Sequence, residues 1–282
     1  MKFSLCNEVL QPQPFEQQCA AAAAMGYDAL EVAPFTLADN PMLISDAQAR
    51  DLRRVADDAG LFISGLHWLL VAPSGLSIVD PSQAVRQRTL GVMERLVDLC
   101  ALMGGSYLVH GSPKQRSVPE GSSREQALER ATDCFARVAV TARAAGVVYC
   151  IEPLSNRETD LVNTVQEAVR IVDAIGSPGL KTMIDCSAAG QMEQEPIEVL
   201  LRRWMPSGHV AHVQVNDPNR RGPGQGELKF APILEAIAGL QSSGDYQGIV
   251  AVEPFDYVPD GATCAARSIG YLKGILEGLV DD

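Results

Sequence analysis

Eight residues carry the groups from which a chemistry could be built: Glu8, Glu31, His67, His110, Glu152, Asp185, Gln214 and Glu253. Each is the last polar residue of a short apolar run, and the runs recur at fairly even intervals: "KFSLCNEV", "ALEVAP", "FISGLHWLL", "YLVHGSP", "VVYCIEP", "LKTMIDCS", "VAHVQVND" and "GIVAVEPF". One carboxylate at a strand end often meets a local structural need. Eight polar ends together do not reduce to that, because carboxylates crowded into one mouth repel one another and something must offset the cost. A divalent cation is the simplest candidate. Glu152, Asp185, Gln214 and Glu253 end the fifth to eighth runs. Three carboxylates and an amide oxygen are hard donors, suited to Mn2+ or Mg2+ with Co2+ tolerable, and they lack the thiolate and imidazole set that zinc prefers. A hydroxyl and an adjacent carbonyl can chelate one such ion side by side, which favours the enediolate left when a neighbouring C–H proton departs. The base must lie within hydrogen-bond reach of that proton. Two carboxylates on opposite faces give epimerisation, whereas one group moving the proton between neighbouring carbons gives aldose–ketose isomerisation. The residues allow both.

Such a constellation needs elements that bring eight strand ends to one place. Between the apolar runs lie helix-period stretches. "PSQAVRQRTLGVMERLVDLCALMGG" places Leu90, Met93, Leu96, Val97, Cys100 and Ala101 on one face, with a proline near its start and two glycines past its end. "SREQALERATDCFARVAVTARAAG" repeats the pattern, with Ser123 as N-cap, Glu125 in the first turn and Gly146 as stop. Strands apolar on both faces, each followed by a helix, predict a parallel sheet covered by helices. Eight units predict a single (β/α)8 barrel over residues 1–282, with its active site at the C-terminal ends of the strands. The rival is an open doubly wound sheet, but "NEVLQPQPF" after the first strand carries no glycine fingerprint for a dinucleotide.

The totals narrow the function. The chain has 282 residues and a formal net charge of -12, so its surface repels phosphate backbones and no nucleic-acid partner is expected. Arg220 and Arg221 are the seed of one local basic pocket. Seven scattered cysteines, odd in number and without a CxxC pair, read as reduced core thiols of a cytoplasmic protein. Cys186, beside Asp185, is placed in the core by strand alternation. Asn7 and Glu8 interrupt any apolar stretch that a secretory leader would need, and no uncharged run approaches a membrane span.

Read in order, "IEPLSNRETDLVNT", "MIDCS", "HVQVNDPNRRGPGQGE" and "VAVEPF" resemble the sugar isomerase/epimerase superfamily of xylose-isomerase-like TIM barrels. Within it, the chain is similar to the ketose 3-epimerases and the hydroxypyruvate isomerases. The resemblance implies one Mn2+ or Mg2+ ion held by Glu152, Asp185, Gln214 and Glu253. It makes Glu152 and Glu253 the proton carriers, one on each face of the substrate, and it implies contacts from Glu158 and Arg220 to substrate oxygens. A homo-oligomer, dimer or tetramer, is expected on the same ground. Two positions depart from the ketose 3-epimerase pattern: Gln214 stands where those enzymes have the strand-seven histidine, and Ala188 stands where they have a substrate-binding histidine.

The remaining candidates rest on the residues alone. His67 and His110 are expected to meet substrate hydroxyls, and Trp68 to cap the pocket. Glu8 and Glu31 are expected to order substrate or to orient a histidine. His212, two residues before Gln214 and on the same face, is the rival ligand. The expected substrate is a small unphosphorylated keto sugar or sugar acid, with Arg220 leaving a carboxylate open. A lyase of the inosose-dehydratase kind could use the same site, and a sugar-binding barrel would bind without turnover. An endonuclease of the endonuclease IV type shares the fold but needs a histidine-rich zinc cluster and a basic face, against four histidines and a charge of -12 here.

Overall fold

In a computed structural model of the protein, eight short parallel strands each pair with the next, and the last pairs with the first: Phe3–Cys6 (β1), Ala29–Val32 (β2), Phe62–Leu66 (β3), Tyr107–His110 (β4), Val148–Ile151 (β5), Leu180–Asp185 (β6), Val210–Val215 (β7) and Val250–Val252 (β8). The structure describes residues 1–280. The closed barrel, and not the open sheet, is therefore the architecture, and each strand coincides with one of the eight apolar runs. Around it lie helices Phe15–Met25 (α1), Asp46–Asp58 (α2), Gln83–Leu102 (α3), Arg124–Ala145 (α4), Val165–Ile175 (α5), Cys186–Met192 (α6), Ile197–Trp204 (α7), Phe230–Ser243 (α8) and Gly261–Val280 (α9). The short helix α6 is additional to one helix per strand; it starts at the residue after β6, and Asp185 caps it.

Local chemistry accounts for the helix ends. Ser123 Oγ accepts from Gln126 N while Gln126 Oε1 accepts from Ser123 N, a capping box at the start of α4. Gly146 ends that helix in the left-handed region at φ 74°. The apolar faces of the helices and the outward faces of the strands share one continuous core. All seven cysteines are free thiols and buried. Among the described residues, no helix is long and apolar enough to cross a membrane.

Strand register decides which side chains enter the mouth together. Asp185 pairs with Gln214, Gln214 with Ala251, and Cys6 with Glu31. Between β2 and β3 the register slips by one, from Leu30 opposite Ile63 to Glu31 opposite Gly65. Gly65 lies directly beside Tyr107, and a Cβ there would come 2.5 Å from the Tyr107 carbonyl oxygen and 2.6 Å from its ring. Substituting Gly65→Ala is expected to cost about 1–3 kcal/mol by overpacking, read as a lower urea midpoint, because the nearest atom is backbone and cannot swing away.

Candidate active site

Glu152, Asp185 and Glu253 each bring a carboxylate oxygen within 4.8 Å of the others, and all three are buried. A second convergent group, Cys6, Glu8, His67 and Glu253, shares Glu253 with the first. Burial pushes Glu152 well above the usual carboxylate range, and the Asp185 charge pushes it further. Burial does the same to Glu253, reinforced by Glu152. Asp185 is pushed up to about 7 by burial, although the Ala188 N–H and the Asn216 amide pull the other way. Asp185 Oδ1 accepts from Ala188 N at 2.7 Å and Oδ2 accepts from Asn216 Nδ2 at 2.7 Å. Asn216 also donates to the Glu253 carbonyl at 2.9 Å, so one amide ties the ends of β6, β7 and β8 together.

Two residues earlier, on β7, Gln214 is buried with Nε2 donating to Glu31 Oε1 at 2.7 Å. The amide is thereby oriented, and its Oε1 is buried without a partner. A buried acceptor with nothing to accept costs about 1–3 kcal/mol, and a cation would satisfy it. Glu253 Oε2 and Glu8 Oε1 are likewise buried and unpartnered. The donor set thus fits a hard divalent ion.

Glu31 lies at the centre of a network that leaves neither of its oxygens free. Oε1 takes the Gln214 amide, and Oε2 accepts from Tyr107 Oη at 2.5 Å and lies 2.9 Å from His212 Nε2. Burial would raise its pKa, but His212, His67 and the Tyr107 hydroxyl outweigh burial and hold Glu31 down at about 2. In this geometry Glu31 holds Gln214 rather than presenting an oxygen to a substrate. His212 stacks on Tyr107 at 3.9 Å between ring centroids and is absent from both convergent groups. Glu8 orients His67, with Oε2 2.8 Å from His67 Nε2. Burial opposes protonation of His67, yet Glu8 and Glu31 raise its pKa. His110 is enclosed, with Nδ1 2.7 Å from Tyr149 Oη and Nε2 unpartnered. Burial and the Arg116 charge hold it down at about 3, so its ring is neutral near pH 7.

The loops carry the outer residues. Glu158 Oε2 accepts from Ser155 N and Oγ, while Oε1 lies 3.6 Å from Arg220 Nη1. The structure therefore brings Glu158 and Arg220 together. Arg220 sits over the Phe255 ring at 4.8 Å, and Phe255 stacks on Trp68, which packs in turn on Phe35. Trp68, Ser112, Val162 and Arg220 have positive φ without being glycine, and all follow the C-terminal ends of strands. Such backbone costs on the order of 1–3 kcal/mol per residue and persists only where the surroundings enforce it. At Arg220 the enforcement is visible: its carbonyl accepts from both Phe255 N and Asp256 N at 2.8 Å. Asp217 closes the loop behind it, accepting from Asn219 N and Leu228 N.

Sequence reading overlooked Tyr107, Cys6 and Arg116. Cys6 carries a usable signal, since it ends β1 two residues before Glu8, at the same end of the barrel. Tyr107 opens a strand, four β-residues of ordinary composition, and Arg116 lies in a loop without periodicity. If Glu31 orients the Gln214 oxygen toward an ion, Glu31→Gln is expected to weaken Mn2+ binding about 10–100-fold, as remote support of a ligand typically does. Gln214→Ala is expected to weaken it at least as much. Titration calorimetry checks both, and unchanged affinity in the two variants would remove Gln214 from the site.

The family profile described as xylose isomerase-like TIM barrel matches residues 19–275. The D-psicose 3-epimerase of Ruminiclostridium cellulolyticum is 28% identical over 235 residues, covering 83% of this chain and 75% of the relative. The 3-dehydro-D-guloside 4-epimerase of Escherichia coli is 23% identical over 281 residues, covering 97% and 99%. Among solved structures, D-psicose 3-epimerase with D-tagatose from Clostridium cellulolyticum H10 superposes with a TM-score of 0.81 at 21% identity, covering 98% of this chain and 99% of that one, which speaks to the fold. With the profile spanning most of its length and a closed eight-stranded barrel beneath it, the chain belongs to the xylose isomerase-like TIM barrel family.

Proposed function

We propose that the protein is a divalent-metal-dependent ketose epimerase that moves a proton next to the ketone of a small keto sugar or sugar acid. The observation that carries this reading is the convergence of Glu152, Asp185 and Glu253 in a buried mouth beside the unpartnered oxygen of Gln214. The 3-epimerase and 4-epimerase relatives support it. Glu152, Asp185, Gln214 and Glu253 would hold one Mn2+ or Mg2+ ion. When bound, such an ion polarises a carbonyl and stabilises the negative charge that develops on proton loss.

The residues supply the rest. Glu152 and Glu253 come from β5 and β8, three strands apart around the ring, and so approach a substrate from different sides. One takes the C–H proton and the other returns a proton to the opposite face, the arrangement that inverts a carbon. Asn216 keeps Asp185 aimed, and Glu31 keeps Gln214 aimed. Arg220 and Glu158 are placed to bind substrate oxygens, with His67 and His110 as further donors or acceptors deeper in the mouth. Trp68 and Phe255 cover the same end and exclude water.

Proton NMR of ketoses in D2O, with protein plus Mn2+ and a chelator control, tests the reading. Deuterium is expected next to the ketone only with metal, and its position identifies the carbon worked on. Loss of exchange by about 10^2–10^4-fold is expected in Glu152→Gln and Glu253→Gln. An unsaturated product would instead make the protein a lyase, and absence of exchange across the panel would sink the proton-transfer reading.

The raised carboxylate pKa values add a second check. A folded state that holds protons more tightly than the unfolded chain is most stable below the unfolded pKa and loses that stability as pH rises through the folded value. For Asp185 this window runs from 3.8 to about 7. Mn2+ competes with those protons, so its stabilisation grows with pH. At about 100 times its dissociation constant, Mn2+ is expected to raise the melting temperature by about 5–10 °C at pH 8 and to have little effect at pH 5. An equal shift at both values would show that the ion binds elsewhere.

A further inference from the structure

Among the described residues, Arg116 is the one fully buried guanidinium, and this site does not explain it. It follows β4 by six residues, in the loop leading to α4, and is 0% exposed. None of Nε, Nη1 and Nη2 has a hydrogen-bond partner among the described residues. Burying an unpaired charge is among the largest penalties a fold can carry, so a fork of five N–H donors without an acceptor implies one that arrives from outside. The Glu152 and Glu158 charges act on Arg116, which places it on the side of the mouth those residues share. Neither carboxylate reaches it as an ion pair, although Glu158 does lie 3.6 Å from Arg220. Glu152, Asp185 and Glu253 are nearly as enclosed as Arg116, at 3%, 3% and 1% exposure.

The residues just before Arg116 line a cavity of about 300 Å³ together with Trp68 and Val71: Ser112, Pro113, Lys114 and Gln115. Ser112 is held at φ 35° and its Oγ accepts from Leu70 N at 3.1 Å, which ties this loop to the one after β3. Lys114 adds a second cation to the same loop. In a chain of net charge -12, a buried guanidinium without a hydrogen-bonded acceptor, two residues after a lysine that lines this cavity, is a local reversal of the protein's field.

We infer that loop 112–116 binds an anionic group on the substrate, so that the keto sugar is an acid and not a neutral ketose. Arg116 grips two oxygens of that group in its fork, and the group sits at the end of the carbon chain remote from the ketone, because Arg116 pairs with none of the carboxylates that would surround the ketone. This inference rests on the proposed proton transfer at Glu152 and Glu253 for the identity of the substrate, though not for the binding itself. A carboxylate and a phosphate ester share the chemistry; the structure offers one planar fork to either.

D-fructose, D-fructuronate and D-fructose 6-phosphate differ only at C6 and make a matched set. With Mn2+-loaded protein, kcat/KM for one of the two anionic sugars is expected to exceed that for fructose about 100-fold, the worth of a charge-assisted bidentate contact. Which of them it is separates carboxylate from phosphate. Arg116→Gln and Arg116→Lys are both expected to lose that advantage, mainly in KM, with fructose turnover unchanged within about threefold. Titration calorimetry of the same sugars reads Kd without turnover, and circular dichroism confirms that each variant is folded. Equal or better handling of fructose overturns the inference. So does recovery by Arg116→Lys of everything lost in Arg116→Gln, since Arg116 would then be a counter-charge for Glu152. If no sugar exchanges deuterium but fructuronate or fructose 6-phosphate binds through Arg116, the inference stands and the proton-transfer reading falls. If none of the three binds, the inference falls.

Discussion

Three carboxylates that water barely reaches lie within 4.8 Å of one another at one end of this barrel, and their repulsion is the constraint to which the surrounding structure answers. Two full charges at that distance repel by on the order of 3 kcal/mol at the effective dielectric of a protein interior. The metal-free protein meets this by holding protons: burial first, and then each neighbour's charge, raise Glu152 and Glu253. Hydrogen bonds carry another part. The Ala188 N–H and the Asn216 amide stabilise ionised Asp185. A cation in the middle would resolve the repulsion and release the protons in one event, and its affinity would then rise with pH.

The same economy explains why Glu31 is so heavily bonded. A buried carboxylate beside three others would add to the repulsion if its charge faced the mouth. Instead His212, Tyr107 and Gln214 surround it, so its charge is spent on orienting an amide. A neutral glutamine serves as an oxygen donor only if its amide is turned the right way, and nothing in the side chain itself selects that rotamer. Glu31 does so through Nε2. An imidazole at this position would need no such choice of oxygen over nitrogen, so Gln214 as a ligand would depend on its buried support more than a histidine would.

Positioning of the outer residues draws on backbone strain in place of charge. Trp68, Ser112, Val162 and Arg220 all adopt the left-handed region in loops that follow strands. The barrel tolerates this because its strands are short, fully paired and closed, leaving the core to hold the loop ends rigid. The Arg220 carbonyl, shared by Phe255 N and Asp256 N, ties the β7 and β8 loops together and holds the arginine that faces Glu158 over the Phe255 ring.

Much of this was legible in the chain. Eight apolar runs separated by helix-period stretches specify the barrel because burial on both faces and a returning helix leave few other folds, and the polar residue ending each run marks the mouth because alternation fixes the direction of a side chain. Glu152, Asp185, Gln214 and Glu253 were readable in that way, as was the need of Glu8 or Glu31 to hold a histidine. Alternation, however, states a direction and not a depth. Depth depends on the stagger between strands distant in sequence, and the slip that sets Glu31 opposite Gly65 places Glu31 under Gln214 beside Tyr107 and His212. Tyr107 has no polar signature of its own, and Arg116 lies in a loop where no period constrains a side chain. The set of donors was therefore local information, whereas which donors converge, which support others, and that one guanidinium is enclosed without a partner were decided only when closure of the sheet brought residues more than a hundred positions apart within hydrogen-bond reach.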